Sequence, residues 1–188
     1  MHTTSNKTDE ALMARLAAGD LDAATALFRR HNVGLFNFFL RMGHARDVGE
    51  DLVQTVFERI IKYRQSFRGE LAFRAWMYQI ARNVQADYYR QRPRFVPDDF
   101  TLLEDLGDLS EPPVSQGLER ENQLVQLEKS LERLPDDQRE ILLLTRYQRL
   151  KYIEVGAILG CSEGAVKQKV LRALQQLRII FFKLEQSE

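Results

Sequence analysis

The stretch FRAWMYQIARNVQADYYR, residues 73–90, strings aromatic rings between arginines. At about 100° per residue, Phe73, Met77, Ile80, Val84 and Tyr88 share one face of a helix, an ordinary apolar core stripe. Tyr78, Gln79, Arg82, Asn83 and Tyr89 fall on the outer side, with Trp76 at the border. Rings exposed beside guanidinium and amide groups can bind single-stranded nucleic acid, because bases stack on them at roughly 1–3 kcal/mol each while arginine holds phosphate. The same residues would serve equally well if Trp76 and Tyr78 packed on a neighbouring helix and Arg82 formed a surface ion pair. Composition leaves both readings open.

A second set lies near the other end, in YIEVGAILGCSEGAVKQKVLRALQQL. Ile153, Val155, Ile158 and Leu159 make the apolar face of a short helix. Gly160 suits the left-handed residue that ends it, and Ser162 suits the N-cap of the next helix. This is helix-turn-helix spacing. On the second helix Val166, Val170, Ala173, Leu174 and Leu177 face inward, while Gln168, Leu171, Arg172 and Gln175 fall opposite, flanked by Lys167 and Lys169. Arginine and glutamine can read base edges in a major groove, lysine can hold phosphate, and Leu171 can touch a thymine methyl. A helical hairpin with a solvated charged face has the same pattern.

The elements that must carry these residues are helical throughout. Apolar residues recur at three- and four-residue steps and no alternating run marks a strand, so helices are expected at about 8–18, 21–42, 45–64, 71–92, 118–133, 136–147, 152–159 and 163–183. Between them, PDDFTLLEDLGDLSEPPVSQG (97–117) holds three of the five prolines, two glycines and six acidic residues, the composition of a flexible linker. The fold class is therefore all-α, in two small domains at 8–95 and 118–184 joined by an acidic linker at 96–117.

A formal net charge of zero hides a partition: residues 21–95 carry +6, residues 96–122 carry −7, residues 123–188 carry +2 and residues 1–20 carry −1. Two basic units joined by an acidic strap meet a polyanion very differently from their average. With 44% hydrophobic residues, 188 residues suffice for folded cores. The lone Cys161 excludes an intramolecular disulfide and a cysteine-built zinc site, and no signal-peptide pattern or long apolar run is present. These features point to a soluble cytoplasmic protein without membrane insertion.

Taken together and in register, EDLVQTVFERI, FRGELAFRAWMYQIARN, LPDDQREILLL and ILGCSEGAVKQKV resemble the extracytoplasmic-function sigma factors of bacterial RNA polymerase. The resemblance covers about residues 8–92 and 118–183. It implies a sigma factor that binds the polymerase core and directs promoter-specific initiation. Asp51, Leu52, Gln54 and Phe57 would dock on the clamp helices of the largest subunit. The loop with Phe67, Arg68 and Gly69, and the helix with Trp76, Tyr78, Arg82 and Asn83, would open the minus-ten element and hold a flipped base, a step that costs a few kcal/mol of stacking. Ser162, Lys167, Gln168, Lys169, Leu171 and Arg172 would read the minus-thirty-five element as duplex. The flap of the second-largest subunit would engage the outer surface of the C-terminal domain, and the acidic linker would run through a basic channel built for RNA. An anti-sigma factor is a further implied partner. No catalytic residue, cofactor or metal is implied, since the polymerase makes the bonds.

The chain departs from the family pattern in places. Lys169 stands where arginine is usual, Leu174 and Gln175 where basic residues often occur, Arg149 where a glycine commonly turns the chain, and Gly156 where alanine is common. Two other classes compete with the sigma reading. An all-α metal-dependent phosphohydrolase needs clustered carboxylates, but Glu50, Asp51 and Glu58 lack the paired three-residue spacing, and His2, His31 and His44 form no ligand spacing. An adaptor using its helix-turn-helix for protein contact is the other competitor.

Overall fold

The computed structural model describes residues 8–91 and 117–186, and among these all regular structure is helical. Eight α-helices follow in order: α1 (Asp9–Ala17), α2 (Leu21–Arg41), α3 (Arg46–Lys62), α4 (Phe73–Gln91), α5 (Gly117–Glu132), α6 (Asp136–Leu142), α7 (Tyr152–Leu159) and α8 (Glu163–Glu185). A 3-10 turn, Arg64–Ser66, follows α3, and a π-helical turn, Leu143–Tyr147, continues α6. The expected helices are present at their expected places. The acidic linker falls outside the described residues.

Capping chemistry sets the helix starts where the sequence supplies it. Thr8 Oγ1 accepts from Ala11 N (3.2 Å), Asp20 Oδ1 from Asp22 N (3.1 Å) and Ser162 Oγ from Ala165 N (3.2 Å), each satisfying a donor that has no intrahelical partner. The first four helices bury Leu16, Leu27, Leu35, Phe39, Val56, Ile60, Phe73 and Met77 against one another. In the C-terminal unit Ile141, Leu143, Val155, Ile158, Val166, Val170 and Ala173 do the same. Each large apolar side chain removed from water contributes roughly 1.5–3 kcal/mol.

Buried Arg139 ties the C-terminal unit together at the α5–α6 turn. Its guanidinium donates to the carbonyls of Leu131 (2.9 Å), Leu134 (3.0 Å) and Glu132, and reaches across to Met42 O at the end of α2 (3.3 Å). Other polar contacts join the same two units. Arg41 Nε donates to Glu128 Oε1 (3.2 Å) while its guanidinium carbon lies 4.6 Å from the Tyr147 ring centroid. Gln148 donates to Gly34 O (3.3 Å), Arg74 donates to Gln148 O, and Arg82 pairs with Glu140. The four-helix N-terminal unit and the helix-turn-helix unit are thus packed together, with α7 against α4.

Candidate nucleic-acid interface

Helix α8 begins at a built turn. Gly160, at φ 66°, ends α7, Cys161 N donates to Gly156 O (2.9 Å), and Ser162 caps α8. A Cβ on Gly156 would lie 2.6 Å from Cys161 O, so the glycine permits the close approach that returns the chain between the two helices. Val166, Val170 and Ala173 are buried against the unit's core, while Leu174 is exposed at its margin and Leu177 half-buried. The opposite face presents Lys167, Gln168, Lys169, Leu171 and Arg172, all exposed. Leu171 is 58% exposed, an apolar side chain held in water between a glutamine and an arginine. Lys167 is paired with Glu163 one turn earlier (2.9 Å). Ser162 serves this face as the cap that starts the helix.

The second candidate surface is at α4 and the loop before it. Gly69 adopts φ 72° with open space around it, and Arg68 is exposed. Phe67 and Trp76, both half-buried, lie tilted at 5.3 Å between centroids, and Phe67 also meets the buried Phe73 edge-on at 6.2 Å. Asn83 is exposed, and Tyr89, also exposed, lies tilted 5.3 Å from the His44 ring.

Tyr78 is placed differently from the helical-wheel expectation, while Arg82 keeps the outer side and takes the ion-pair alternative. Tyr78 is not on an outer surface: it is 1% exposed, edge-on to Phe38 at 5.3 Å. A Cβ on Gly34 would lie 3.6 Å from its hydroxyl oxygen and 3.7 Å from Gln148 Oε1, so the tyrosine's tip reaches the seam with the C-terminal unit. Burial pushes its hydroxyl pKa well above the ordinary range. Arg82, 46% exposed at its side chain, places Nε 3.1 Å from Glu140 Oε1 of α6. Burial raises the Glu140 pKa above the ordinary carboxylate value, against the pull of Arg82. The outer side of α4 is therefore partly occupied by another part of the chain.

On α3, Asp51 and Gln54 are exposed, whereas Leu52 and Phe57 are 4% and 6% exposed. Phe57 packs edge-on against Phe28 at 4.9 Å. Of the four residues expected at a docking face, two build the core beneath it. Sequence reading missed the apolar part of that face: Val33, 65% exposed, and Phe28 line a groove of about 340 Å³ with Asn32, Arg46, Glu50 and Gln54. A second groove, of about 300 Å³, lies between α5 and α8, lined by Leu127, Leu174, Leu177, Arg178, Phe181 and Phe182. A single exposed valine on a helix carries little signal in sequence, and the groove emerges only when α2 and α3 are set side by side. No described helix is long and apolar enough to cross a membrane.

Comparison with known proteins gives this geometry its class. Residues 27–95 match the model for sigma-70 region 2, and residues 124–177 match that for sigma-70 region 4. Two such regions in this order define an RNA polymerase sigma factor. The chain is 30% identical to the ECF RNA polymerase sigma-E factor of Escherichia coli over 177 residues, covering 90% of this chain and 92% of that one. It is 25% identical to the RNA polymerase sigma-H factor of Pseudomonas aeruginosa over 178 residues, covering 90% and 91%. Among solved structures, CnrH in complex with the cytosolic domain of CnrY superposes with a TM-score of 0.71 at 25% identity, covering 94% of this chain and 99% of that one. RpoE in complex with the anti-sigma factor NepR, from Bartonella quintana, gives 0.65 at 25%, covering 83% and 94%. The chain belongs to the extracytoplasmic-function family of RNA polymerase sigma factors, which direct promoter-specific initiation of transcription.

Proposed function

We propose that the N-terminal unit, residues 8–95, docks on the polymerase core and opens the minus-ten element, and that the C-terminal unit, 118–184, reads the minus-thirty-five element as duplex. The exposed, capped face of α8 carries the reading. Gln168, Leu171 and Arg172 line up where base edges would lie, with Lys167 and Lys169 beside them to meet phosphate. In the N-terminal unit the adjoining rings of Phe67 and Trp76, with Arg68, Gly69, Arg82 and Asn83, supply rings and cations for an unpaired strand. Tyr78 supports that surface from within.

Asp51 and Gln54, with the groove lined by Phe28 and Val33, form the surface offered to the clamp helices of the largest subunit. The apolar groove between α5 and α8 is offered to the flap of the second-largest subunit. An anti-sigma factor is a fitting partner, since RpoE of B. quintana is solved with the anti-sigma factor NepR bound. Arg82 faces Glu140 when the two units are packed together, so promoter opening requires the units to part.

Footprinting of holoenzyme on a promoter located by run-off transcription tests the division of labour. Gln168→Ala with Arg172→Ala abolishes upstream duplex protection and retains core binding. Trp76→Ala with Arg82→Ala retains upstream protection and loses permanganate reactivity of the opened strand. If both pairs lost the same signals, the assignment of the two surfaces would be wrong.

A further inference from the structure

The loop Phe67–Ala72 stands between the 3-10 turn Arg64–Ser66 and the first residue of α4, and each of its ends is held by α1. At the entry, Gln65 Nε2 donates to Ala17 O (2.7 Å), the last residue of α1, where helix carbonyls lack intrahelical donors. At the exit, Phe73 N donates to Glu10 Oε1 (3.2 Å), 63 residues away in sequence. Helix α4 has no acidic residue in its own first turn. Glu10 therefore brings a carboxylate to a helix N-terminus whose partial positive charge favours one.

The remaining contacts hold α1 itself in register. Asp9, next to Glu10, pairs with His31 Nε2 (2.9 Å) and Arg30 (2.5 Å) of α2. The His31 ring lies 5.4 Å from the ring of Phe73, which in turn meets Phe67 and Trp76. Inside the loop, by contrast, Arg68, Gly69 and Glu70 are exposed, and a Cβ on Gly69 would meet nothing within 4 Å. The loop is thus anchored at both ends and open at its apex, a geometry that fixes where a captured base meets the rings and reduces the ordering required on binding.

We infer that α1 is a brace for the strand-opening loop, and that Glu10 and Gln65 are positioning residues for base capture although neither lies among the exposed loop residues. The inference rests on the assignment of Phe67–Ala72 to the minus-ten strand. Glu10→Ala removes both acceptor and charge, Glu10→Gln keeps an acceptor, and Gln65→Ala frees the entry.

The test measures binding of full-length protein to core polymerase, and of the resulting holoenzyme to a fluorescent oligonucleotide carrying the non-template minus-ten strand of a promoter located with the wild-type protein. Glu10→Ala and Gln65→Ala each weaken oligonucleotide binding about five- to tenfold, as expected for loss of a hydrogen bond that orders the loop. Glu10→Gln recovers most of the loss, and affinity for core stays within twofold of wild type for all three. Unchanged oligonucleotide affinity in both alanine variants overturns the brace, as does an equal loss of core and oligonucleotide binding, which would mark a folding role. If wild-type holoenzyme itself binds the strand but alanine at Phe67 and Trp76 leaves that binding intact, the assignment of the loop fails and the brace with it.

Discussion

Arg82 Nε of α4 lies 3.1 Å from Glu140 Oε1 of α6, linking a residue proposed to meet the unpaired strand with the helix that leads into the helix-turn-helix. The pair is one of several polar contacts along the seam between the units, together with Arg41–Glu128 and Gln148–Gly34. The face of α8, by contrast, remains exposed in the packed chain. In the closed chain the surface proposed to read duplex is available and the surface proposed to open the strand is partly covered.

Glu140→Lys is expected to open the seam. It sets two cations against each other, replacing an attraction of about 0.2–1 kcal/mol, the range of a partly exposed pair. Small-angle scattering of the free protein should show a larger radius of gyration, and core polymerase should bind faster. Glu140→Gln should stay closed: burial already disfavours the charged carboxylate, and glutamine keeps an acceptor for Arg82 with no charge to desolvate. Opening by both substitutions would show that the charge itself holds the seam.

Gly156 and Arg149 test the two turns that flank α7 in opposite directions. Gly156→Ala drives a methyl to 2.6 Å from Cys161 O and should destabilise the protein by about 1–3 kcal/mol, the range of an overpacked site. Arg149 has φ 52°, a conformation that costs a side-chain-bearing residue roughly 1–2 kcal/mol. Arg149→Gly relieves that strain while adding about 0.5–1 kcal/mol of unfolded-chain entropy, so a neutral or slightly raised melting temperature is expected. Thermal melts of the two variants decide both.

On α8, Gln168→Ala and Arg172→Ala should each lower promoter affinity by about 1–3 kcal/mol and relax base preference within the minus-thirty-five element. Lys169→Ala should weaken binding evenly across sequences and reduce the salt slope by about 1. Competition binding of holoenzyme against a panel of point-substituted promoters, at two salt concentrations, separates the two behaviours.

Asp9 gives a pH dependence. Burial works to raise its carboxyl pKa, but His31 and Arg30 outweigh it and hold the value below the ordinary range. A depressed folded value means that the contribution is fully present above the unfolded pKa of about 4 and is lost as pH falls through the lower folded value. Below about pH 4, the melting temperature of the wild type should therefore fall more steeply than that of Asp9→Asn. Parallel curves would remove Asp9 from the acid response.

Much of the fold was legible because its signals are local. Gly160 and Ser162 announce the end of α7 and the start of α8 through their own backbone and side-chain chemistry, and the apolar periods of α2 and α3 identify helices whatever they pack against. The α8 face was legible for the same reason, since nothing else in the described chain covers it. Arg149 and Gly156 were visible as departures from a pattern, and the left-handed φ of the one accounts for the turn before α7 and the tight approach at the other for the turn after it.

Non-local contacts were not legible. The wheel drawn on α4 assigned Tyr78 to an outer side because a wheel knows one helix, whereas Tyr78 ends between Phe38, Gly34 and the neighbourhood of Gln148. Leu52 belongs to the apolar period of α3, but Phe57 fell within a motif whose exposed members include Asp51 and Gln54, and a motif does not separate the residues that form a surface from those that support it. Glu10 acts on a helix 63 residues away, and nothing in its own segment marks that role.

Run-off transcription with purified core polymerase on a genomic template is the most direct measurement of the central claim. Addition of this protein should yield discrete transcripts, and the promoters behind them should share a minus-thirty-five and a minus-ten element at a fixed spacing. Transcription from the same templates should fall to the core-only background with Trp76→Ala and Arg82→Ala combined. No discrete product from any native promoter, with the protein folded and bound to core, would contradict the account.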